Sequence, residues 1–266
     1  MSTLVRSTVA CFLIATLGLH ATPTIKATEQ AAAEPAEQVA PLRVLFLGDQ
    51  GHHRPADMLA LAREGLQHAG WQIEYTDDVN QLNAKNLKQF DCLLFFRDSG
   101  DLPPKAENAL LDYIEAGHGL VAVHCASHCF RNSARYTALV GGRFHTHETG
   151  VFRSRIIDAQ HPAMANVKSF EAWDETYLHN ELSSDRHVLM VREHAAGVEP
   201  YTWVRQQGQG RVYYTALGHD HNAWANKAFH RLLDQAGRLR HDGQSAILGE
   251  CGSRRALWNS VVYEVA

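Results

Sequence analysis

The chain is poor in the residues that mark several common classes of protein. It has 5 Cys, 4 Met and 8 Pro among 266 residues, and no segment is rich in Lys and Arg. Because 25 Lys and Arg stand against 29 Asp and Glu, the formal net charge is −4. Nucleic acids bind to concentrated basic surfaces, so this charge argues against nucleic acid as the main partner.

Cysteine is too sparse and too scattered for a disulfide framework. Beyond the N-terminal segment the chain keeps Cys92, Cys125, Cys129 and Cys251. Cys92 lies in an apolar run and is predicted to be a small core residue. Cys125 and Cys129 lack the C-x-x-C spacing of a redox pair. The sequence therefore does not predict a fold that depends on disulfides.

The longest apolar run, Ser7–Leu19, is shorter than the roughly 20 residues of a membrane-spanning helix. It follows a single positive charge, and residues 1–27 are predicted to be a signal peptide that directs the chain to the periplasm or outside the cell. An uncleaved membrane anchor is the alternative. Residues 28–41 are predicted to be a linker, residues 42–239 the folded domain and residues 240–266 a tail.

Apolar strands alternate with amphipathic helices in the first half of the domain. Four strands are predicted, at residues 42–47, 71–75, 91–96 and 119–124. Short connections through helices favour parallel neighbours and right-handed crossovers. We therefore expect an α/β fold, a three-layer α/β/α sandwich of flavodoxin-like type with a mostly parallel sheet. Beyond His124 the pattern is mixed, with further strands, a hairpin turn at Gly208–Gly210 and a last helix near residues 222–239.

Histidine is unusually frequent, with 17 residues, and most of them follow apolar runs. In an open α/β sheet, ligands bind beyond the carboxyl ends of the strands. Those ends carry His53, Arg54, Asp98, His124, His219, Asp220 and His221. Two further polar clusters are predicted in loops that cover the same edge, His145–Glu148 and Asp174–Glu175. The sequence therefore predicts that these groups meet in one site.

The segments His145–His147 and His219–His221 each place two imidazoles on one side of an extended backbone. A divalent metal ion would suit such pairs, with a neighbouring carboxylate as an oxygen ligand. The alternative is that one histidine of each pair faces solvent and the other hydrogen-bonds to the backbone. The spacing alone does not decide between them.

Two chemistries are open at the strand-end turn of His124. His124 is a candidate acid, base or ligand, and Glu175 is a candidate general base if it is shielded from water. Cys125 is a weaker candidate nucleophile, because the turn is similar to a nucleophile elbow. Arg54 is interpreted either as a contact to substrate oxygens or as a partner of Asp49 or Asp98. Three aromatic residues are candidates for stacking on a sugar, although aromatic residues in strands are more often core: Trp173, Tyr177 and Trp203.

Five segments, in this order, resemble the ThuA-like (trehalose utilisation) family: Gly119–His124, Gly141–His147, Asp174–Tyr177, Pro200–Trp203 and Gly208–His219. The resemblance covers roughly residues 42–239. It implies a fold similar to class I glutamine amidotransferases and a role in carbohydrate catabolism, with trehalose, related disaccharides or their 3-keto derivatives. By motif match, the functional positions of the family fall on His124, His147, Glu175 and His219. The amidotransferase cysteine would align with His124, so glutaminase activity is not expected.

The sequence thus predicts an exported enzyme that acts on a sugar or 3-keto sugar, as an isomerase, lyase or glycoside hydrolase. The predicted site comprises the catalytic His124 and Glu175, the substrate-binding His53, Arg54, Asp98 and Trp203, and the metal-binding His147 and His219. The expected ligand is a small carbohydrate, and the candidate cofactor is a divalent metal ion. A nucleotide cofactor is not expected, and the mature chain is not expected to contact a membrane. A non-catalytic sugar-binding module and a Cys-dependent amidase are the alternatives.

Overall fold

The computed structural model describes residues 41–194 and 197–239. The predicted signal peptide, the linker up to residue 40 and the tail, which includes Cys251, lie outside the described residues. Within the described ranges, no helix combines the length and apolar character that crossing a membrane requires.

The strands of the described part are β1 (Leu42–Leu47), β2 (Trp71–Thr76), β3 (Cys92–Phe95), β4 (Gly119–Val123), β5 (Arg143–Thr146), β6 (Thr149–Ile156), β7 (Glu171–Glu175), β8 (Leu178–Asn180), β9 (His187–His194), β10 (Gly197–Gln207) and β11 (Gly210–Thr215). The α-helices are α1 (Pro55–His68), α2 (Ala84–Leu87), α3 (Pro104–Glu115), α4 (Ala134–Val140), α5 (His221–Trp224) and α6 (Lys227–Gly237). Single 3₁₀ turns span Val79–Gln81, His124–Ser127 and Pro162–Met164.

One half of the main sheet is parallel, as the sequence predicts. The strand order is β2-β1-β3-β4-β11-β10-β9-β6-β7, and β1 pairs in parallel with β2 and β3, as β4 does with β3 and β11. All residues of β3 and β11 are buried, and β1 and β4 are buried after their first residues. Strands that are covered on both faces consist of continuous apolar residues. For this reason the four strands could be recognised in the sequence. The α/β fold is confirmed.

The other half of the sheet is antiparallel, so the expectation of a mostly parallel sheet is not confirmed. Strand β10 pairs antiparallel with β11 and β9, and β6 pairs antiparallel with β9 and β7. Only two residues, Gly208 and Gln209, connect β10 to β11. A connection this short can join only antiparallel neighbours, because a parallel pair needs a crossover of a dozen or more residues. The sheet is therefore mixed.

Two segments predicted as loops are strands. Arg143–Thr146 forms β5, which pairs antiparallel with β8 outside the main sheet. Asp174 and Glu175, predicted in a covering loop, are the last residues of β7 and are buried, at 0% and 9% exposure. Both pairings are long-range, and polar residues at buried strand ends do not follow the alternation on which strand prediction rests.

The pairing of β4 with β11 sets the position of the strand ends. Val123, the last residue of β4, lies opposite Thr215, the last residue of β11. The residues that follow the two strands, His124 and Ala216, therefore emerge side by side at one edge of the sheet. That edge contains the polar groups described next.

Candidate functional site

His124 lies at a strained turn directly after β4. Its φ of 49° falls in the left-handed region, which non-glycine residues rarely adopt. Such strain persists only where the surrounding structure enforces it, and it is concentrated at functional sites. The side chain is fully buried, and Nδ1 lies 2.7 Å from the carbonyl oxygen of Ala216. Because a carbonyl oxygen only accepts, Nδ1–H donates, and Nε2 of a neutral ring carries the lone pair.

A buried hydroxyl network holds the backbone of this turn. The Tyr214 hydroxyl donates to the carbonyl oxygen of His124 at 3.0 Å, and the Ser127 hydroxyl donates to the same oxygen at 3.2 Å. His179 Nε2 lies 2.9 Å from the Tyr214 hydroxyl oxygen. Sequence reasoning missed this network, since its members lie on β11, the 3₁₀ turn and β8 and share no motif.

The carboxylate of Asp174 joins the end of β7 to the segment after β11. It accepts from the backbone N–H of Gly218 at 2.8 Å, of His219 at 3.0 Å and of Glu175 at 2.8 Å. A charged acceptor shared by three backbone donors is a strong constraint. Asp174 therefore fixes Glu175 and His219 next to each other, although they are far apart in the chain.

His53, His124, Glu175 and His219 converge at this edge, each with one ligand atom, and these atoms all lie within 4.8 Å of one another. His124 Nε2 is 3.2 Å from Glu175 Oε2, and His219 Nδ1 is 3.3 Å from Glu175 Oε1. The ring of His53 lies 5.2 Å from that of His124 and 5.3 Å from that of His219. We name these residues the four-residue cluster.

Four ring nitrogens of the four-residue cluster are buried and poorly satisfied. Among the described residues, His53 Nδ1 and Nε2 have no hydrogen-bond partner, and His124 Nε2 and His219 Nδ1 make no well-aligned hydrogen bond and face only the carboxylate of Glu175, at 3.2 and 3.3 Å. An unsatisfied buried nitrogen costs about 1–3 kcal/mol, so this group of nitrogens needs an explanation. Three imidazole nitrogens and one carboxylate oxygen form a donor set that suits Zn²⁺ or a related divalent transition metal. The residues present therefore fit a metal ion.

The protonation states of two members of the four-residue cluster, His53 and Glu175, are compatible with this fit, whereas in the metal-free protein the hydrogen bond to Glu175 raises the pKa of His219. Burial, followed by the charges of His124 and His52, lowers the pKa of His53 to about 3, so its ring is neutral near neutral pH. Burial alone would raise the pKa of Glu175, but the imidazoles of His124 and His219 outweigh it and hold that pKa far below its usual range. A neutral imidazole and an ionised carboxylate are the forms that bind metals.

The predicted site residues fall into an inner and an outer group. His124, Glu175 and His219 belong to the four-residue cluster, together with His53, which was predicted to bind substrate. His147 does not belong to it, although it was predicted as a ligand. Its side chain is 37% exposed, and its Nε2 lies 3.6 Å from Glu175 Oε1. His147 thus contacts the cluster from its open side.

Asp98 lies at the rim of the site within a group of imidazoles. It accepts a hydrogen bond from His128 Nδ1 at 2.9 Å, and His52 Nδ1 lies 3.7 Å from its other oxygen. The hydrogen bond that His128 donates to Asp98 is the main cause that raises the pKa of His128. His128 was not among the predicted site residues, although it follows His124 by four residues in the same polar turn.

Arg54 and Trp203 were both predicted to contact the substrate, but each makes other contacts in the structure. Arg54 forms an ion pair with Asp57 in the first turn of α1, and its side chain is 72% exposed. The partners considered for it, Asp49 and Asp98, are not those observed. Trp203 is 0% exposed, and its Nε1–H donates to the carbonyl oxygen of Val140 at 2.8 Å. The prediction that Trp203 stacks on a sugar is therefore wrong, because a side chain in the core offers no face to a ligand.

Cys125 is unsuited to act as a nucleophile in this structure. Its side chain is 0% exposed, and burial raises the pKa of its thiol well above the ordinary range. The reactive form of cysteine is the thiolate, which burial in apolar surroundings disfavours. The geometry gives the Cys-dependent amidase no support.

The chain resembles solved structures along most of its length. A putative ThuA-like protein from Bacteroides uniformis ATCC 8492 is 19% identical with a TM-score of 0.64, and the match covers 80% of this chain and 94% of that one. One from Parabacteroides merdae ATCC 43184 is 16% identical with a TM-score of 0.67, covering 77% and 91%. A beta-galactosidase from Rahnella sp. R3 is 14% identical with a TM-score of 0.53, covering 73% of this chain but 30% of that one. At these identities the likeness concerns the fold alone.

A search of the curated proteins found no match. The sequence pattern of the family described as "ThuA: Trehalose utilisation" matches residues 43–238, which is most of the chain and nearly all of its described part. The five motifs quoted from the sequence lie inside this range. The chain belongs to the ThuA family.

Proposed function

We propose that this protein is a metal-dependent enzyme that acts on a sugar or a 3-keto sugar. One observation carries the proposal: three imidazoles, two buried and one half-buried, converge with a carboxylate, and four of their ring nitrogens make no well-aligned hydrogen bond in the described part of the chain. A sugar-binding module without catalysis would not require a buried cluster of this kind.

The four-residue cluster would hold the metal ion. Bound there, a divalent ion would supply Lewis acidity toward a substrate carbonyl or hydroxyl. His124 acts in this proposal as a ligand rather than as a free acid or base, because its ring is fully buried and its Nδ1–H is engaged by Ala216. Ala216 thereby fixes the tautomer and the orientation of the ring.

Proton transfer is better assigned to His147 at the open side. Its ring is exposed enough to meet a substrate, and its Nε2 is close to Glu175 Oε1. An imidazole can both take and give a proton. His147 would move a proton to or from the carbon next to a carbonyl, while Glu175 holds the ring by its negative charge.

The description of the family, trehalose utilisation, supports a sugar as the proposed substrate class. A 3-keto derivative of a glucoside carries the carbonyl that Lewis-acid and imidazole chemistry needs. We also propose that the protein is exported, on the strength of the apolar segment near its N-terminus.

The test combines elemental analysis with turnover. We expect the purified protein to contain close to one equivalent of a transition metal and to convert a 3-keto-glucoside, and we expect His124→Ala to lose both. His118→Ala is the matched control, since His118 lies at the opposite end of β4. Sugar binding without turnover in either form would instead favour the non-catalytic module. Turnover that persists in metal-free protein would refute the proposal that the enzyme depends on a metal ion.

A further inference from the structure

We propose that Trp173 is a platform on which the sugar ring of the substrate stacks, beside the four-residue cluster. The inference rests on the proposed function and adds to it a binding residue and an orientation for the substrate. Trp173 is 42% exposed, although it is a large apolar side chain within a strand. The centroid of its ring lies 6.5 Å from that of His219, at an interplanar angle of 59°.

The strand geometry directs Trp173 toward the site. Trp173 precedes Glu175 by two residues in β7. Side chains two apart in a strand point to the same face and stand about 6.6 Å apart along it. Trp173 and Glu175 therefore share one face, the first exposed and the second buried in the cluster. A pyranose ring that covers the indole would have one edge over the groups that carry the chemistry.

The chemistry of the surroundings favours a sugar over other occupants. The face of an indole carries negative charge density, which attracts the polarised C–H bonds on the face of a pyranose. Sugar hydroxyls at the edge of the ring would meet the partly exposed imidazoles of His147 and His219, whose side chains are 37% and 22% exposed. An apolar ligand would leave these polar groups unpaired.

A second copy of the chain is the main competing occupant. Val151, which lies opposite Trp173 in the β6–β7 pair, is 65% exposed. Stable protein interfaces bury more than about 1,000 Å², and two neighbouring apolar side chains supply only a small part of that area. The patch therefore matches the size of one sugar ring better than that of a protein partner.

The experiment measures equilibrium binding, so it uses sugars that lack the carbonyl of the proposed substrate. Trehalose and methyl glucoside are titrated into zinc-loaded protein by calorimetry. We expect Trp173→Ala to weaken sugar binding by about tenfold and Trp173→Phe by no more than about threefold. Val151→Ala, which removes the apolar neighbour, should leave the sugar affinity within about twofold. The affinity for Zn²⁺ should be the same in all four proteins.

Each outcome bears on the proposal. A sugar affinity that Trp173→Ala leaves unchanged would overturn it, as would wild-type protein that binds neither sugar. A change of oligomeric state in Trp173→Ala, measured by light scattering after gel filtration, with unaltered sugar binding would assign the patch to a second copy. Failure of the metal proposal would show separately, as absent zinc binding in the wild type.

Discussion

Metal binding should raise the thermal stability of this protein by an amount that can be stated in advance. A ligand that binds only the folded state adds about 2.7 kcal/mol to the free energy of unfolding at a free concentration 100 times its Kd. For a domain of this size, 1 kcal/mol corresponds to about 2–4 °C in Tm. Chelator-treated protein should therefore gain roughly 5–11 °C when Zn²⁺ is added to that level.

His53→Ala is the variant that separates a ligand from a merely buried histidine. Neither ring nitrogen of His53 makes a hydrogen bond within the described chain, so its removal from the metal-free protein breaks none. The ring packs against His52 and Phe96, with centroids 3.9 and 5.7 Å away, so only packing is lost. We expect the Tm of the metal-free variant to stay within a few degrees of the wild type.

The zinc response of His53→Ala should nevertheless nearly disappear. Loss of a group that only orients a ligand already weakens metal binding by about 10–100-fold, and loss of a ligand should weaken it at least as much. With a Kd that is 100-fold higher, the same zinc concentration adds only about 0.4 kcal/mol, or roughly 1–2 °C.

Differential scanning fluorimetry with Zn²⁺, Mn²⁺, Co²⁺ and Ni²⁺ measures these shifts, and isothermal titration calorimetry measures the Kd. His118→Ala should respond as the wild type does, because His118 stacks on Tyr113 at the far end of β4. The reasoning fails if no metal raises the Tm of the wild type, or if His53→Ala shows the wild-type rise.

Three further predictions concern the surroundings of the site. Cys125 should resist iodoacetamide at about pH 7.5 in the folded protein, because it is buried and its pKa is raised; its alkylation without unfolding, seen by peptide mapping, would contradict this. Gly218→Ala should cost about 1–3 kcal/mol in urea unfolding, because its φ is +124° and a Cβ would lie 2.8 Å from the nearest side chain. Gly150→Ala, where a Cβ meets nothing within 4 Å, should cost less than about 0.5 kcal/mol. The pKa of His128 is raised mainly by Asp98, so this pair stabilises the fold below about pH 6.5, and its contribution fades as the pH rises through the folded pKa. Asp98→Asn should therefore move the NMR titration of His128 to lower pH, and an unmoved titration would contradict the pairing.

The parallel half of the sheet was predictable because its signals are local. Strands β1, β3 and β4 are continuous apolar runs that end in polar turns, and the intervening helices α1 and α3 begin at prolines. Each feature is contained in fewer than twenty consecutive residues. The antiparallel half depends on which strands pair, and only the Gly208–Gly210 hairpin gave a local sign of it.

The site residues likewise divide into those that a local signal in the sequence predicts and those that it does not. His124 and His219 were found because they follow apolar strands, and Glu175 because it lies in a polar cluster predicted to cover the same edge; the family motifs contain the same residues. Trp203 was misassigned since an aromatic residue in a strand has the same local pattern whether it faces a ligand or the core. Trp173, which was also predicted as a candidate for stacking on a sugar, is exposed. No feature of the sequence distinguishes Trp173 from Trp203.

The four-residue cluster contains His53 where the sequence predicted His147. This difference shows that the spacing of residues along the chain does not suffice to predict which of them meet in a site. The spacing of His145–His147 puts two imidazoles on one side of a strand, which looks like a chelating pair. A metal site, however, is defined by the backbone that carries it. Asp174 fixes the segment that bears His219, and the hydroxyl of Tyr214 fixes the turn that bears His124. The turn after β1 adds His53, whose ring is 4% exposed and closes the cluster from the buried side. His147 contacts Glu175 with a side chain that is 37% exposed, so it faces the solvent side of the cluster. The same residue type thus serves two purposes, and burial decides which histidine is suited to bind a metal and which to transfer a proton.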